Sequence, residues 1–179
     1  VLENHPNIFV VSDEIYEHIN FSGTFCSIAS IPGMFEKTIT VNGVAKAFAM
    51  TGWRIGYIGA PEFIAKACTK MQGQVTSGAN SIAQRATIAA VEADPKVLNY
   101  MVDAFHKRRD LVVGLIQDIP GLKINVPEGA FYVFPDVSYY FNKTLKGTLI
   151  KDASDLAMYI LAEANVATVT GEAFGNPDC

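Results

Sequence analysis

The chain has 179 residues, of which 50% are hydrophobic and 18% charged, a composition that excludes a disordered chain and fits one globular domain or two small ones. Its formal net charge of −4 does not indicate a binder of nucleic acid or of membrane surfaces, and no apolar run is long enough to span a bilayer. The three cysteines lack metal-ligand spacing, and their odd number fits reduced thiols in a cytoplasmic protein without a metal site.

Short apolar runs alternate with helical patterns over the first half of the chain. The runs predict strands, the first two of them buried on both faces, at 8–11, 37–43 and 53–60. Residues 17–37 predict a short helix. Helical spacing predicts one helix from Pro61 to residue 74 and a second, largely buried, over 81–93 with Ser81 as its N-cap.

The pattern changes in the second half of the chain. A long helix is predicted over 95–119, then strands at 122–126 and 130–137 around the turn PEGA. A helix over 152–165, with Asn165 as its C-cap, precedes a last strand at 166–171. The sequence therefore predicts an α/β protein whose domain boundary, near the long helix, divides it into 1–95 and 96–179.

Four polar residues lie near the predicted ends of the first three strands: Asp13, Tyr16, Lys46 and Arg54. If the strands are parallel, Asp13 and Lys46 leave the same edge of the sheet, where α/β proteins bind ligands. An apolar surrounding lowers the pKa of a lysine and suits it to a Schiff base, and arginine suits a phosphate. Each residue alone also has a structural interpretation: a solvated lysine, a capping carboxylate, a core tyrosine or an ion-paired arginine.

Four segments carry a family resemblance, namely SDEIYEHINF, NGVAKAFAMTGWRIGY, PEGAFYVFP and GEAFGNP. In them the chain resembles the class I/II aminotransferases of fold type I, which depend on pyridoxal phosphate, over essentially its whole length. The wording is most similar to that of bacterial aspartate aminotransferases. The resemblance implies that residues 1–95 are the C-terminal part of a large domain with a mixed, mostly parallel sheet. Residues 96–179 would then be an incomplete small α+β domain.

The resemblance also implies a role for each candidate residue. Lys46 would form the Schiff base with pyridoxal phosphate and move the substrate proton. Asp13 would pair with the pyridine nitrogen, Tyr16 would bind the phenolic oxygen and Arg54 would bind the phosphate. The implied reaction moves an amino group between an amino acid, expected to be aspartate, and a 2-oxo acid in a homodimer. A carbon–sulfur lyase of the same fold and a catalytically incomplete fragment are the alternatives.

Two departures from the family pattern qualify this assignment. Gly43 stands where many members have a phosphate-binding serine, so we expect backbone amides near Asn42 and Gly43 to contribute instead. The arginine that binds the substrate carboxylate in the family is expected just after FGNP, beyond Cys179. We therefore expect a fragment truncated at both ends, which binds pyridoxal phosphate weakly and is inactive alone.

Overall fold

A three-stranded mixed sheet lies in the first half of the chain in the computed structural model, which describes residues 2–179. Its strands are β1 (Val10–Asp13), β2 (Thr38–Gly43) and β3 (Gly56–Gly59), in the order β1-β2-β3. β1 and β2 are parallel, whereas β2 and β3 are antiparallel. All three predicted strands are therefore present, and the predicted mixed α/β fold is confirmed.

The expected burial of the first strand on both faces is wrong. Val11 is 69% exposed, and Ile8 and Phe9 are exposed as well. A strand is buried on both faces only when a layer of structure covers each face, and the described residues do not cover these side chains. β2 is better covered, with Thr38, Asn42 and Gly43 buried.

Two α-helices follow the sheet in sequence, α1 (Glu62–Val75) and α2 (Ser81–Val91). α1 begins directly after Pro61, as predicted. The N-cap of α2 is Asn80 rather than Ser81, because the Asn80 side chain accepts hydrogen bonds from the amides of Ile82 and Ala83. The expected burial of α2 is also wrong: Ala83 is buried, but Ile82 is 71% exposed.

The region predicted to hold one short helix contains turns of 3-10 helix instead. These turns are Ile28–Ser30 and Phe35–Lys37. The first is capped by the Ser27 hydroxyl, which accepts from the amide of Ala29. Short 3-10 turns are frequent connectors, and here they lead from the end of β1 back to the start of β2.

The chain forms two compact units, Val1–Asp103 and Ala104–Cys179. The division falls within α3 (Asn99–Gln117), which follows a 3-10 turn begun by Asp94 and Pro95. The domain boundary at 95/96 stays a prediction for the whole protein.

The second unit contains a hairpin that the sequence prediction missed. Strands β4 (Lys143–Leu145) and β5 (Thr148–Ile150) are antiparallel. They are joined by Lys146 and Gly147, with φ of 45° and 89°. Positive φ at both central residues is the mark of the tight hairpin turn that matches strand twist. The dipeptide Lys-Gly is a weaker signal for such a turn than Asn-Gly, so the sequence pattern does not predict the hairpin.

The other strand predictions for this unit are wrong. Residues 122–126 and 130–137 share a single isolated bridge, between Lys123 and Asp136. Ala130 has φ of 57°, which interrupts an extended run, and Pro135 has no amide hydrogen to donate to a ladder. Residues 166–171 likewise form no strand. The helix prediction is confirmed, since α4 (Ala153–Ala164) ends at Asn165, with φ of 55°.

Candidate active site

The ends of the parallel strands β1 and β2 bring two loops to one edge of the sheet. Asp13 ends β1 and lies in register with Val41 of β2. The amide of Glu14 extends this pairing by donating to the carbonyl oxygen of Val41, at 2.8 Å. Beyond that bond the chain leaves the sheet toward Tyr16, while β2 ends at Gly43 and leads to Lys46. The carboxyl ends of parallel strands are where open α/β sheets bind ligands.

Lys46 lies in a loop that is anchored in the core on both sides. Val44 is fully buried and Ala47 is nearly so, whereas Lys46 itself is half-buried. Its Nζ atom lies 5.6 Å from the ring centroid of Tyr16, within the range of a cation–π contact. The buried neighbours fix the loop backbone from which the Lys46 side chain extends.

Asp13 and Tyr16 belong to the loop that follows β1. The Asp13 carboxylate is exposed and accepts a 3.3 Å hydrogen bond from the amide of Ile15. This bond closes a local turn that carries the chain to Tyr16. A carboxylate, a phenol and a lysine amine therefore occupy the two loops that leave this edge of the sheet.

Arg54 lies farther along the chain, in a tight turn between Lys46 and β3. Its backbone is left-handed, with φ of 55°, and its Nη1 donates to the carbonyl oxygen of Thr51 at 2.8 Å. Ala49 is also left-handed, with φ of 52°. Such residues are uncommon and concentrate at functional sites. Arg54 is exposed and lines an open cavity of about 870 Å³ together with Trp53.

Glu14, which the sequence analysis did not single out, supports the loop after Asp13 through its buried side chain. Its side chain is only 7% exposed. The carboxylate accepts from the hydroxyls of Ser12, at 2.9 Å, and Ser27, at 2.8 Å. A buried carboxylate is tolerated only when it is hydrogen-bonded in this way. An acidic residue next to Asp13 at a strand end was the available signal.

A second missed cluster lies between the two loops and consists of Glu17, His18 and Asn42. Asn42 is 8% exposed, and its Nδ2 donates to Glu17 Oε1 at 2.8 Å. His18 Nε2 lies 3.3 Å from the same oxygen. Burial raises the pKa of Tyr57, which lies opposite Asn42 in the sheet, and the charge of Glu17 raises it further.

The same cluster also engages a backbone amide near the expected phosphate position. The amide of Gly43 already donates to Asn42 Oδ1, at 2.7 Å. This amide is therefore committed within the chain, because one N–H group has one proton to donate. The expectation that backbone amides near Asn42 and Gly43 contribute to phosphate binding stays a prediction.

Within residues 2–179, no group of three or more histidine, cysteine, aspartate or glutamate side chains is placed to hold a metal ion. None of the helices described there has the length and apolar character needed to cross a membrane.

The chain is similar in sequence to a family of known proteins. The family described as "Aminotransferase class I and II" matches residues 1–179. An aspartate aminotransferase of Pinus pinaster is 46% identical over the whole chain, which covers 37% of that protein. A bifunctional aspartate aminotransferase and glutamate/aspartate-prephenate aminotransferase of Petunia hybrida is 47% identical over the whole chain, which covers 38% of it.

Solved structures agree with the sequence comparison. The crystal structure of the aspartate aminotransferase from Rhizobium meliloti matches with a TM-score of 0.93 and 43% identity. The match covers 98% of this chain and 44% of that one. The chain thus spans about two fifths of the length of the relatives that it matches.

Proposed function

The chain belongs to the class I and II aminotransferase family, and from that premise we propose that the whole protein transfers an amino group between an amino acid and a 2-oxo acid. The observation that carries the proposal is the position of the Lys46 amine, 5.6 Å from the Tyr16 ring at the ends of two parallel strands. Members of this family use pyridoxal phosphate, which stabilises negative charge on the substrate α-carbon when it is bound.

The chemistry of the candidate residues fits this cofactor. Lys46 supplies an amine that can hold an aldehyde carbon covalently, and its flanking residues Val44 and Ala47 are buried. Asp13 supplies an exposed carboxylate at the end of β1 that can keep a proton on a pyridine nitrogen. Arg54 supplies an exposed guanidinium, whose planar fork suits phosphate oxygens.

Each side chain then has one task in the proposed reaction. Lys46 Nζ would take the α-proton from the substrate and return a proton as the amino group is transferred. The Tyr16 hydroxyl would donate a hydrogen bond to the phenolic oxygen of the cofactor. Arg54 would bind the cofactor phosphate.

The names of the relatives suggest the substrates. The pine and Rhizobium proteins are aspartate aminotransferases, so we propose aspartate as amino donor and a 2-oxo acid as acceptor. The name of the Petunia protein adds prephenate as a second acceptor to test. No observation on the described residues favours a carbon–sulfur lyase.

The assembly and the compartment are part of the same proposal. We propose a cytoplasmic homodimer, in which residues 76–81, between α1 and α2, face the partner subunit. Free thiols at Cys26, Cys68 and Cys179 are compatible with a reducing compartment. Analytical ultracentrifugation of the full-length protein tests the dimer, and a monomer at micromolar concentration would contradict it.

The activity is tested with the full-length protein that contains this chain. Aspartate and 2-oxoglutarate should yield oxaloacetate, which a coupled dehydrogenase assay detects. Lys46→Ala should lower kcat by about 10²-fold or more, because it removes the proposed proton carrier. The exposed Lys70 of α1 provides the control Lys70→Ala, which should keep the wild-type rate.

Two results would contradict the proposal. One is a Lys46→Ala variant as active as Lys70→Ala, which would remove Lys46 from the chemistry. The other is release of pyruvate and a thiol from cystathionine without amino transfer from aspartate, which would favour the lyase.

A further inference from the structure

The consecutive residues Glu17 and His18 contact the chain on both sides of Lys46, at the end of β2 and in the loop that follows it. On the N-terminal side, Glu17 Oε1 accepts from Asn42 Nδ2 at 2.8 Å. On the C-terminal side, the His18 ring meets Phe48 edge-to-face, with centroids 5.8 Å apart and planes at 72°. Glu17 and His18 are joined through the same oxygen, since His18 Nε2 lies 3.3 Å from Glu17 Oε1.

These contacts lie close to the candidate catalytic groups in sequence. Glu17 follows Tyr16 directly, while Asn42 precedes Lys46 by four residues and Phe48 follows it by two. A shift of Glu17 relative to Asn42 would therefore change the separation of the Tyr16 ring and Lys46 Nζ, which is 5.6 Å here. The contacts connect the loop after β1 to the end of β2 and to the loop that follows it.

The hydrogen bond to Asn42 is the firmest part of this connection. Asn42 is 8% exposed, and its Oδ1 is engaged with the amide of Gly43 at 2.7 Å. The amide group is thus oriented from one side by the backbone, and its Nδ2 points to Glu17. Removing the carboxylate would leave this poorly solvated donor without its acceptor, which costs more than an ordinary surface hydrogen bond.

We propose that Glu17, assisted by His18, is a positioning residue that holds Tyr16 and Lys46 at their working separation through Asn42 and Phe48. This inference rests on the proposed aminotransferase function. Glu17 is assigned no chemical step in the proposed reaction. It acts by fixing one loop against the other, so its loss should affect turnover more than substrate binding.

The test compares three variants in the full-length protein. Glu17→Ala removes the acceptor, and Glu17→Gln keeps a carbonyl oxygen that can still accept from Asn42. Glu36→Ala removes an exposed carboxylate of the same unit and is the matched control. Because a hydrogen bond to a charged group is lost, Glu17→Ala should lower kcat for aspartate about tenfold, with KM changed less than about twofold. Glu17→Gln should restore most of kcat.

A second readout uses the cofactor-free protein and does not depend on activity. Amide hydrogen exchange over residues 43–48 should be about tenfold faster in Glu17→Ala than in wild type, and near wild type in Glu17→Gln and Glu36→Ala. If Glu17→Ala does not fold, Asn42→Asp serves instead. Asn42→Asp places two carboxylates next to each other. The double variant Asn42→Asp/Glu17→Gln restores a donor and an acceptor.

The outcomes distinguish the positioning role of Glu17 from the proposed aminotransferase function. Unchanged kcat and unchanged exchange in Glu17→Ala would overturn the positioning role, as would a lower melting temperature with normal kcat. No rescue in the double variant would overturn it as well. If wild type transfers no amino group, the proposed function fails. The exchange readout then still shows whether Glu17 holds the Lys46 loop.

Discussion

Gly43→Ser tests why this chain lacks the serine that many family members have three residues before the lysine. Gly43 lies opposite Gly56 in the antiparallel pair of β2 and β3. A Cβ atom at Gly43 would lie 2.9 Å from the carbonyl oxygen of Ile55 and 3.2 Å from Gly56 Cα. Both neighbours are backbone atoms, so they can move away only if β3 itself shifts.

The expected loss follows from this contact. Overpacking of a closely packed site costs about 1–3 kcal/mol, and the shift would also strain the pairing of Asn42 with Tyr57. We expect Gly43→Ser to lower the free energy of unfolding by about 2 kcal/mol and therefore to lower the melting temperature. Because Ile55 adjoins Arg54, the cofactor should also bind less tightly.

Thermal unfolding and a titration with pyridoxal phosphate, both on the full-length protein, measure these effects. The control is Gly56→Ala, whose Cβ would meet the carbonyl oxygen of Asn42 at 3.5 Å, an ordinary contact. It should change stability by less than about 0.5 kcal/mol. A Gly43→Ser protein that is as stable as wild type and binds the cofactor more tightly would refute the steric argument. It would also show that the site can still accept a serine ligand.

Three further predictions concern the second unit of the chain. Gly121→Ala should cost about 3 kcal/mol, because φ is 87° and the new Cβ would clash with the ring of Tyr139. Gly147→Ala, at φ of 89° in open space, should cost only about 1 kcal/mol in the same urea titration, and equal losses would contradict the reasoning. Asn165→Gly should preserve stability while Asn165→Ala loses about 1 kcal/mol, since this C-cap is left-handed, and calorimetry can rank the two. The hydroxyl and amide of Ser138 lower the pKa of Asp136 from its ordinary 3.8, so their stabilisation is present above that pH and is lost as pH falls through the lowered pKa. The stability advantage of wild type over Ser138→Ala should therefore shrink below about pH 4 in a series of melts, and a constant advantage would disprove it.

The elements predicted best are those whose signals are local. The strand at 37–43 is a short apolar, β-branched run that ends in Asn-Gly, and it coincides closely with β2. The helix over 152–165 has an aspartate at its start and an asparagine at its end, and both act as caps. Such signals need no information about distant parts of the chain.

The predictions that failed required knowledge of what packs against an element. An apolar strand or helix predicts a buried face, yet Val11 and Ile82 are exposed because the described residues provide no layer over them. The strand at 130–137 failed for two backbone reasons: Ala130, at its start, is left-handed, and Pro135 has no amide hydrogen to donate. The residue type does not predict this conformation, since alanine rarely adopts positive φ.

The candidate site shows the same contrast between local sequence signals and contacts between distant segments. The positions of Asp13, Tyr16 and Lys46 can be predicted from the sequence because each lies at or shortly after the end of a strand, and parallel strands bring their carboxyl ends together. Glu17 and Asn42 are separated by 25 residues, and only the register of β1 against β2 brings them within hydrogen-bond distance. The reactive groups of the candidate site thus lie in short sequence segments, whereas their positions relative to one another depend on contacts between those segments. A variant with all four candidate residues intact can therefore lose turnover, and Glu17→Ala is the substitution in which we expect that loss.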